Sequence, residues 1–158
     1  MTSPDRTEDG RYIVVDGRRW RASDPEIPEK LRAELVSELM AARRLVKTEG
    51  DAVRHRVNDA KVALGERGEP WWEPTDEGRR DRMTAAYRAL LRHRQGTVCP
   101  SEVARIVGGD HWRSVSTAAR QLAFDLADSQ VVVITQKGEE VGRDARGPIR
   151  VGRGARLP

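Results

Sequence analysis

Cysteine is almost absent from this chain: Cys99 is the single one in 158 residues. An internal disulfide is therefore excluded, and the composition fits a reducing compartment. Aromatic residues make up only 4%, with one phenylalanine, two tyrosines and four tryptophans, so each position that spends one is informative. Histidine is equally sparse. His55, His93 and His111 fall in separate predicted helices and share no metal-ligand spacing with one another or with Cys99, so no metal is assigned. The sequence has no Walker loop, no GxSxG elbow and no pair of acids at a catalytic spacing, so no catalytic residue and no cofactor are assigned and an enzyme is not expected. No apolar run approaches the ~20 residues needed to cross a bilayer, and the opening MTSPDRTEDG lacks the apolar stretch of a signal peptide. The expectation is a cytoplasmic protein that does not enter a membrane.

Charge, by contrast, is plentiful at 34%, beside 37% hydrophobic residues, a balance suited to small helical units with much surface. The net charge of +4 is unevenly spread. Met1–Thr75 carries 14 basic and 15 acidic residues, whereas 76–158 carries 15 and 10. A basic second half leans toward anionic partners such as nucleic acid. The alternative reading is compositional: arginine outnumbers lysine by 25 to 4, a bias that a GC-rich genome produces without any anionic partner.

Along the chain, residues 1–10 read as a disordered tail. The segment RYIVVDGRRWRA reads as a β-hairpin, because Asp16-Gly17 between two strand-like runs suits a turn with positive φ at both central positions. In the following stretch Ser23 or Asp24 is a candidate cap, Pro25 and Pro28 suit a first turn, and Leu31, Leu35, Leu39, Ala42 and Val46 recur at helical spacing up to Gly50. Asp51–Glu66 repeats that pattern with Val53, Val57, Ala60 and Leu64, so residues 11–69 are predicted to be a β-hairpin plus a helical hairpin. The stretch 70–75 holds Pro70, Trp71, Trp72 and Pro74 and reads as a linker. Trp71 and Trp72 are expected to dock one half on the other; a partner-binding platform is the alternative.

From Asp76 the predicted order is helix, helix, glycine turn, helix, strand, polar loop, strand. The first helix (76–94) turns Met83, Tyr87, Leu90 and Leu91 inward. The second begins at Pro100, with Glu102 at a capping-box position. Gly108 and Gly109 make the turn, and Asp110 is expected to cap a third helix through about Ala127 whose Trp112, Val115, Ala119, Leu122 and Leu126 form the inward stripe. QVVVITQ and GPIRV flank a polar loop from Lys137 to Arg146. This order is that of a winged helix-turn-helix. The fold class is thus mainly α with small β: a winged helix-turn-helix domain over 76–151, preceded by the hairpin segments and followed by a basic tail at 152–158.

The runs VCPSEVARIVGG, DHWRSVSTAARQLA, VVVITQKG and ARGPIRV, spanning Met83–Val151, together resemble a bacterial family of short proteins of unknown function; the motifs CPSEVAR, TQKG and RGPIR are specific in combination. The resemblance implies a winged-helix-like fold and no activity. DGRRWRA, PEKLRAELVSELMAARR and DAKVALGERGEPWW look like a segment that accompanies the module in some relatives.

If the third helix is a recognition helix, its outward side chains are Arg113, Ser114, Thr117, Arg120 and Gln121, a set able to meet guanine or adenine edges and phosphate oxygens of double-stranded DNA. Lys137, Arg143 and Arg146 in the wing are the accompanying cations. Asp125 and Asp128 count against this, since they would repel phosphate. Phe124 also falls on the outward side, where it packs under the wing or marks a protein partner together with Trp71 and Trp72. Two functions are therefore carried forward: a DNA-binding or transcription-associated module, and a protein-protein interaction module. Cys99, beside Pro100 at a helix start, reads as a small buried residue, with thiolate reactivity as the alternative.

Overall fold

Asp16 and Gly17 adopt φ of 52° and 76°, the backbone that lets two strands turn back without splaying. They join β2 (Tyr12–Val15) to β3 (Arg18–Arg21), and β1 (Asp5–Arg6) pairs with the other side of β2. The computed structural model describes residues 5–158. The expected disordered tail is corrected over 5–10: Asp5 and Arg6 pair with Val14 and Ile13, and a turn in which the Thr7 Oγ1 donates to Asp9 at 2.6 Å closes the strand. The part of that tail at 1–4 lies outside the described residues.

Two helices follow, α1 (Glu29–Glu49) and α2 (Arg54–Leu64), joined by a 3-10 turn over Gly50–Val53. Neither Ser23 nor Asp24 caps α1, because Pro28 with ψ near 138° delays the helix to Glu29. The Asp24 carboxylate instead accepts from the Glu26 amide at 2.9 Å. Leu31, Leu35, Leu39, Ala42, Ala60 and Leu64 are buried, as the spacing predicts. Gly65 closes α2 in the left-handed region.

The second half holds α3 (Asp76–His93), α4 (Pro100–Gly108), α5 (Ser116–Asp128), β4 (Val132–Gln136), β5 (Glu139–Glu140) and β6 (Arg150–Arg153). Thr75 caps α3 by accepting from the Gly78 amide at 3.1 Å. Glu102 reaches back to the Cys99 amide at 2.9 Å and starts α4. β4 lies between β5 and β6, and Val98, just before α4, pairs with Val151 of β6. The polar loop is thus shorter than its sequence suggests: Lys137 and Gly138, at φ of 51° and 83°, make a tight turn inside it. The architecture is mainly helical with small antiparallel sheets.

One hydrophobic cluster runs from Ile27 through the helical hairpin to Val151, with Tyr87, Leu90, Leu91, Val103, Ile106 and Leu122 at its centre. Buried Tyr87 donates its hydroxyl to the Ala119 carbonyl at 2.7 Å, joining α3 to α5. Arginines complete the packing. Arg82, 7% exposed, pairs with buried Asp24 at 3.0 Å and donates to the Ala63 and Ile106 carbonyls at 3.0 and 3.2 Å. Both carbonyls lie in the last turn of a helix, where they lack intrahelical donors, so one guanidinium caps α2 and α4 together. Arg94 joins Glu34 of α1 and Glu102 of α4 in the same way, at 2.7 and 2.5 Å. Gly109 has φ of 54°, and a Cβ there would fall 2.8 Å from the Glu26 Cβ, so the segment before α1 rests directly on the turn after α4.

Candidate nucleic-acid interface

The turn leading into α5 departs from the expected single helix. Gly109–Val115 is a 3-10 segment interrupted at His111, and the α-helix begins at Ser116. Asp110 therefore lies within this segment and caps nothing. The cause is local: the Ser114 hydroxyl donates to the His111 carbonyl and the Ser116 hydroxyl to the Arg113 carbonyl, each at 2.8 Å. Such bonds to the carbonyl three residues back compete with the α-helical ladder. Trp112 is half-buried between the guanidiniums of Arg105 and Arg113, 4.5 and 4.7 Å from its ring centroid. Val115, Ala119, Leu122 and Leu126 point inward as expected.

Of the outward set, Arg113, Ser114, Thr117 and Gln121 are exposed. Arg120 is different. Its guanidinium donates to the Gly147 and Ala145 carbonyls at 2.8 and 2.7 Å, so it clamps the loop before β6 rather than facing outward. Gln136 fastens the same loop from the sheet side, donating to the Arg146 and Pro148 carbonyls at 2.6 and 3.0 Å. Lys137 and Arg146 are exposed at the tip and on the loop.

Arg143 is likewise corrected as a free cation. It donates to Asp125 and Asp128, both at 2.6 Å, and Arg80 of α3 reaches Asp125 at 3.0 Å. Hydrogen bonds from Arg143 and Arg80 hold the Asp125 carboxyl below the usual carboxylate range, and those to Asp125 and Asp128 raise the Arg143 guanidinium in turn. The two aspartates that counted against anion binding are thus each matched by a cation.

Phe124 is 5% exposed. It lies beneath the loop, with Arg120 and Arg143 each 5.9 Å from its ring centroid. Its place on the helical wheel is outward from the bundle, but the loop supplies a second covering layer that helical spacing does not reveal. Phe124 is therefore covered by the chain itself. Trp71 donates its Nε1 to the Ala22 carbonyl at 3.0 Å and stands edge-on to Trp72, which stands edge-on to Tyr12 under Arg11. Both tryptophans are half-buried and fasten the N-terminal sheet to the end of the helical hairpin.

Sequence reasoning missed a groove of about 440 Å³ between α3 and α5, lined by Arg79, Arg80, Met83, Ser114, Gln121 and Asp125 among others. The inward stripes show which faces meet, but not that the start of α3 runs beside the exposed edge of α5. Arg153 donates to the Leu91, Arg92 and Arg94 carbonyls at 2.6–3.1 Å, capping the end of α3, and Arg150 bonds Thr97 at 2.8 Å.

Residues 80–154 match a family model described as "Protein of unknown function (DUF3253)". The stretch runs from the first turns of α3 through β6 and includes the Met83–Val151 motifs; over it the chain is similar to that family. No curated protein matches the chain. Among the described residues no helix is long and apolar enough to cross a membrane.

Proposed function

We propose that residues 76–153 form a winged helix-turn-helix that binds double-stranded DNA, in the manner of a transcription-associated module. The reading is supported by the order of α3, the Val98 edge, α4, the glycine turn, α5 and the β4–β6 pair, which is the order of that fold. The observation that carries it is that Arg113, Ser114, Thr117 and Gln121 are all exposed on the segment after the glycine turn. Arginine meets guanine edges or phosphates, glutamine meets adenine edges, and the hydroxyls meet phosphate oxygens. Lys137 and Arg146 flank that side as phosphate contacts, while Arg120 and Arg143 hold the loop that carries Arg146. The competing reading, a protein-interaction module presenting Phe124, Trp71 or Trp72, is weakened by their packing within the chain.

Fluorescence anisotropy against a pool of random duplexes at about 50 mM salt tests the proposal. Three cations on phosphate give a slope of log affinity against log salt near −3, at about −0.9 per contact. Arg113→Ala weakens binding about 5- to 100-fold if it reads a base, and flattens the slope by about one if it holds a phosphate. No binding to any duplex at that salt, or a variant indistinguishable from the parent chain in both affinity and slope, would refute the reading.

A further inference from the structure

The N-terminal sheet has two faces that differ in what they carry. Residues paired across antiparallel strands share a face, and the register sets Arg6 beside Ile13, Ile13 beside Trp20, and Val15 beside Arg18. One face therefore consists of Arg6, Ile13, Val15, Arg18 and Trp20. The other carries Asp5, Tyr12, Val14, Arg19 and Arg21, and it is Tyr12 that meets Trp72. Trp20 and Val15 are 44% and 41% exposed, and Trp20 is the most exposed large apolar side chain among the described residues. The Arg18 guanidinium lies 4.3 Å from its ring centroid.

Charge on the first face has one sign. Asp5 points to the opposite face, Glu8 and Asp9 lie in the turn between β1 and β2, where Asp9 is folded back onto Thr7 and the Arg11 amide, and Asp16 sits in the turn between β2 and β3. Among the described residues neither Arg6 nor Arg18 has a carboxylate within ion-pairing distance, so both charges stay uncompensated beside the indole. An open indole stacked with a guanidinium, apolar neighbours, and unpaired cations about 12 Å apart across three strands form a surface that fits a polyanion with unstacked π-faces. Duplex DNA hides its base faces, and an acidic protein segment makes no use of the indole plane. Single-stranded nucleic acid meets both features at once.

We propose that the face formed by Arg6, Ile13, Val15, Arg18 and Trp20 binds single-stranded DNA, a base stacking on the Trp20–Arg18 pair while Arg6 and Arg18 hold the flanking phosphates. The choice of DNA over RNA rests on the duplex-DNA reading of the C-terminal module; the single-strand chemistry does not.

The full chain is titrated against labelled oligo-dT and oligo-rU of about 20 nucleotides and against a duplex of the same length, at about 50 mM salt. Trp20→Ala is expected to weaken oligo-dT binding about 5- to 100-fold, Trp20→Phe to retain most of it, and the double change Arg6→Glu with Arg18→Glu to abolish it. Duplex binding follows Arg113 and is unchanged by Trp20→Ala. These positions lie outside the buried cluster, and far-UV circular dichroism checks each variant, so the charge reversal tests the face even if the hairpin tolerates no alanine at Trp20. Equal oligo-dT affinity for the parent and all three variants overturns the proposal. So does tighter binding of oligo-rU than oligo-dT, or a concentration-dependent self-association that Trp20→Ala abolishes in sedimentation. Trp20-dependent oligo-dT binding with no duplex binding leaves this proposal standing and removes the duplex reading; the reverse pattern does the opposite.

Discussion

Replacing Arg82 by methionine isolates a buried electrostatic commitment in the core. Methionine keeps an unbranched apolar stem of comparable reach, so packing changes little. What disappears is the partner of Asp24, itself only 4% exposed, and the donors for the Ala63 and Ile106 carbonyls. Burial lowers the proton affinity of the guanidinium, and the neighbouring Asp24 charge and hydrogen bond oppose that shift. Removing one member of a buried pair leaves the other uncompensated and costs about 3–5 kcal/mol, a large share of a domain stability of about 5–15 kcal/mol. For a chain of this size a loss of about 4 kcal/mol lowers Tm by about 8–16 °C. The double variant Asp24→Asn with Arg82→Met removes the stranded charge and leaves mainly two helix-end carbonyls without donors, at about 1 kcal/mol each, so about 2 kcal/mol should be regained. Urea denaturation followed at 222 nm measures both variants. An Arg82→Met protein within about 1 kcal/mol of the parent, or a double variant no more stable than the single one, would show that the guanidinium does not hold the helix ends as argued.

Three further outcomes follow from other sites. Burial pushes the Glu102 carboxyl up, but the Arg94 and Cys99 hydrogen bonds and the Arg94 charge outweigh it and leave it below its ordinary value; a depressed carboxyl stabilises the fold above its unfolded pKa of about 4.3 and loses that contribution as pH falls. Glu102→Gln should accordingly lower stability at neutral pH and reduce its acid dependence below about pH 5, as seen in urea midpoints across pH; an unchanged acid limb would contradict this. A Cβ at Gly154 would fall on the Gln130 carbonyl oxygen and lie 2.7 Å from backbone atoms of Val131 and Val132, so Gly154→Ala should cost about 1–3 kcal/mol, read by thermal melting, whereas Gly96→Ala, with nothing within 4 Å, should not. Arg120→Ala should speed amide exchange in the loop over 141–147 while leaving α3 protected; uniform exchange in both variants would show that the clamp is not needed.

How far the sequence reaches is clearest where local chemistry and tertiary packing agree. The Asp16-Gly17 turn, the Pro100–Glu102 helix start and the stripes from Leu31 to Ala42 on α1 and from Met83 to Leu91 on α3 follow from backbone sterics and apolar spacing, and each is found at its expected place. The start of α5 was not legible, because two serine hydroxyls choose backbone carbonyls over water and hold Gly109–Val115 in a tighter helix. Arg120 and Arg143 were indistinguishable from Arg113 by residue type. What separates them is a loop that folds back over Phe124 and offers carbonyls and aspartates at hydrogen-bond distance. Partners 15–27 residues away carry no periodic signature. The same holds for Arg153, whose role at the end of α3 depends on a pairing between Val98 and Val151 that links distant parts of the chain.

The contact between Gly109 and Glu26 has a mechanical reading. Because the stretch preceding α1 bears on the pivot from which α5 departs, the orientation of that helix is inherited from residues outside the 80–154 stretch. A bulkier residue at the pivot would tilt it without touching any outward side chain. Two chains with identical outward residues but different N-terminal segments would then present them at different angles.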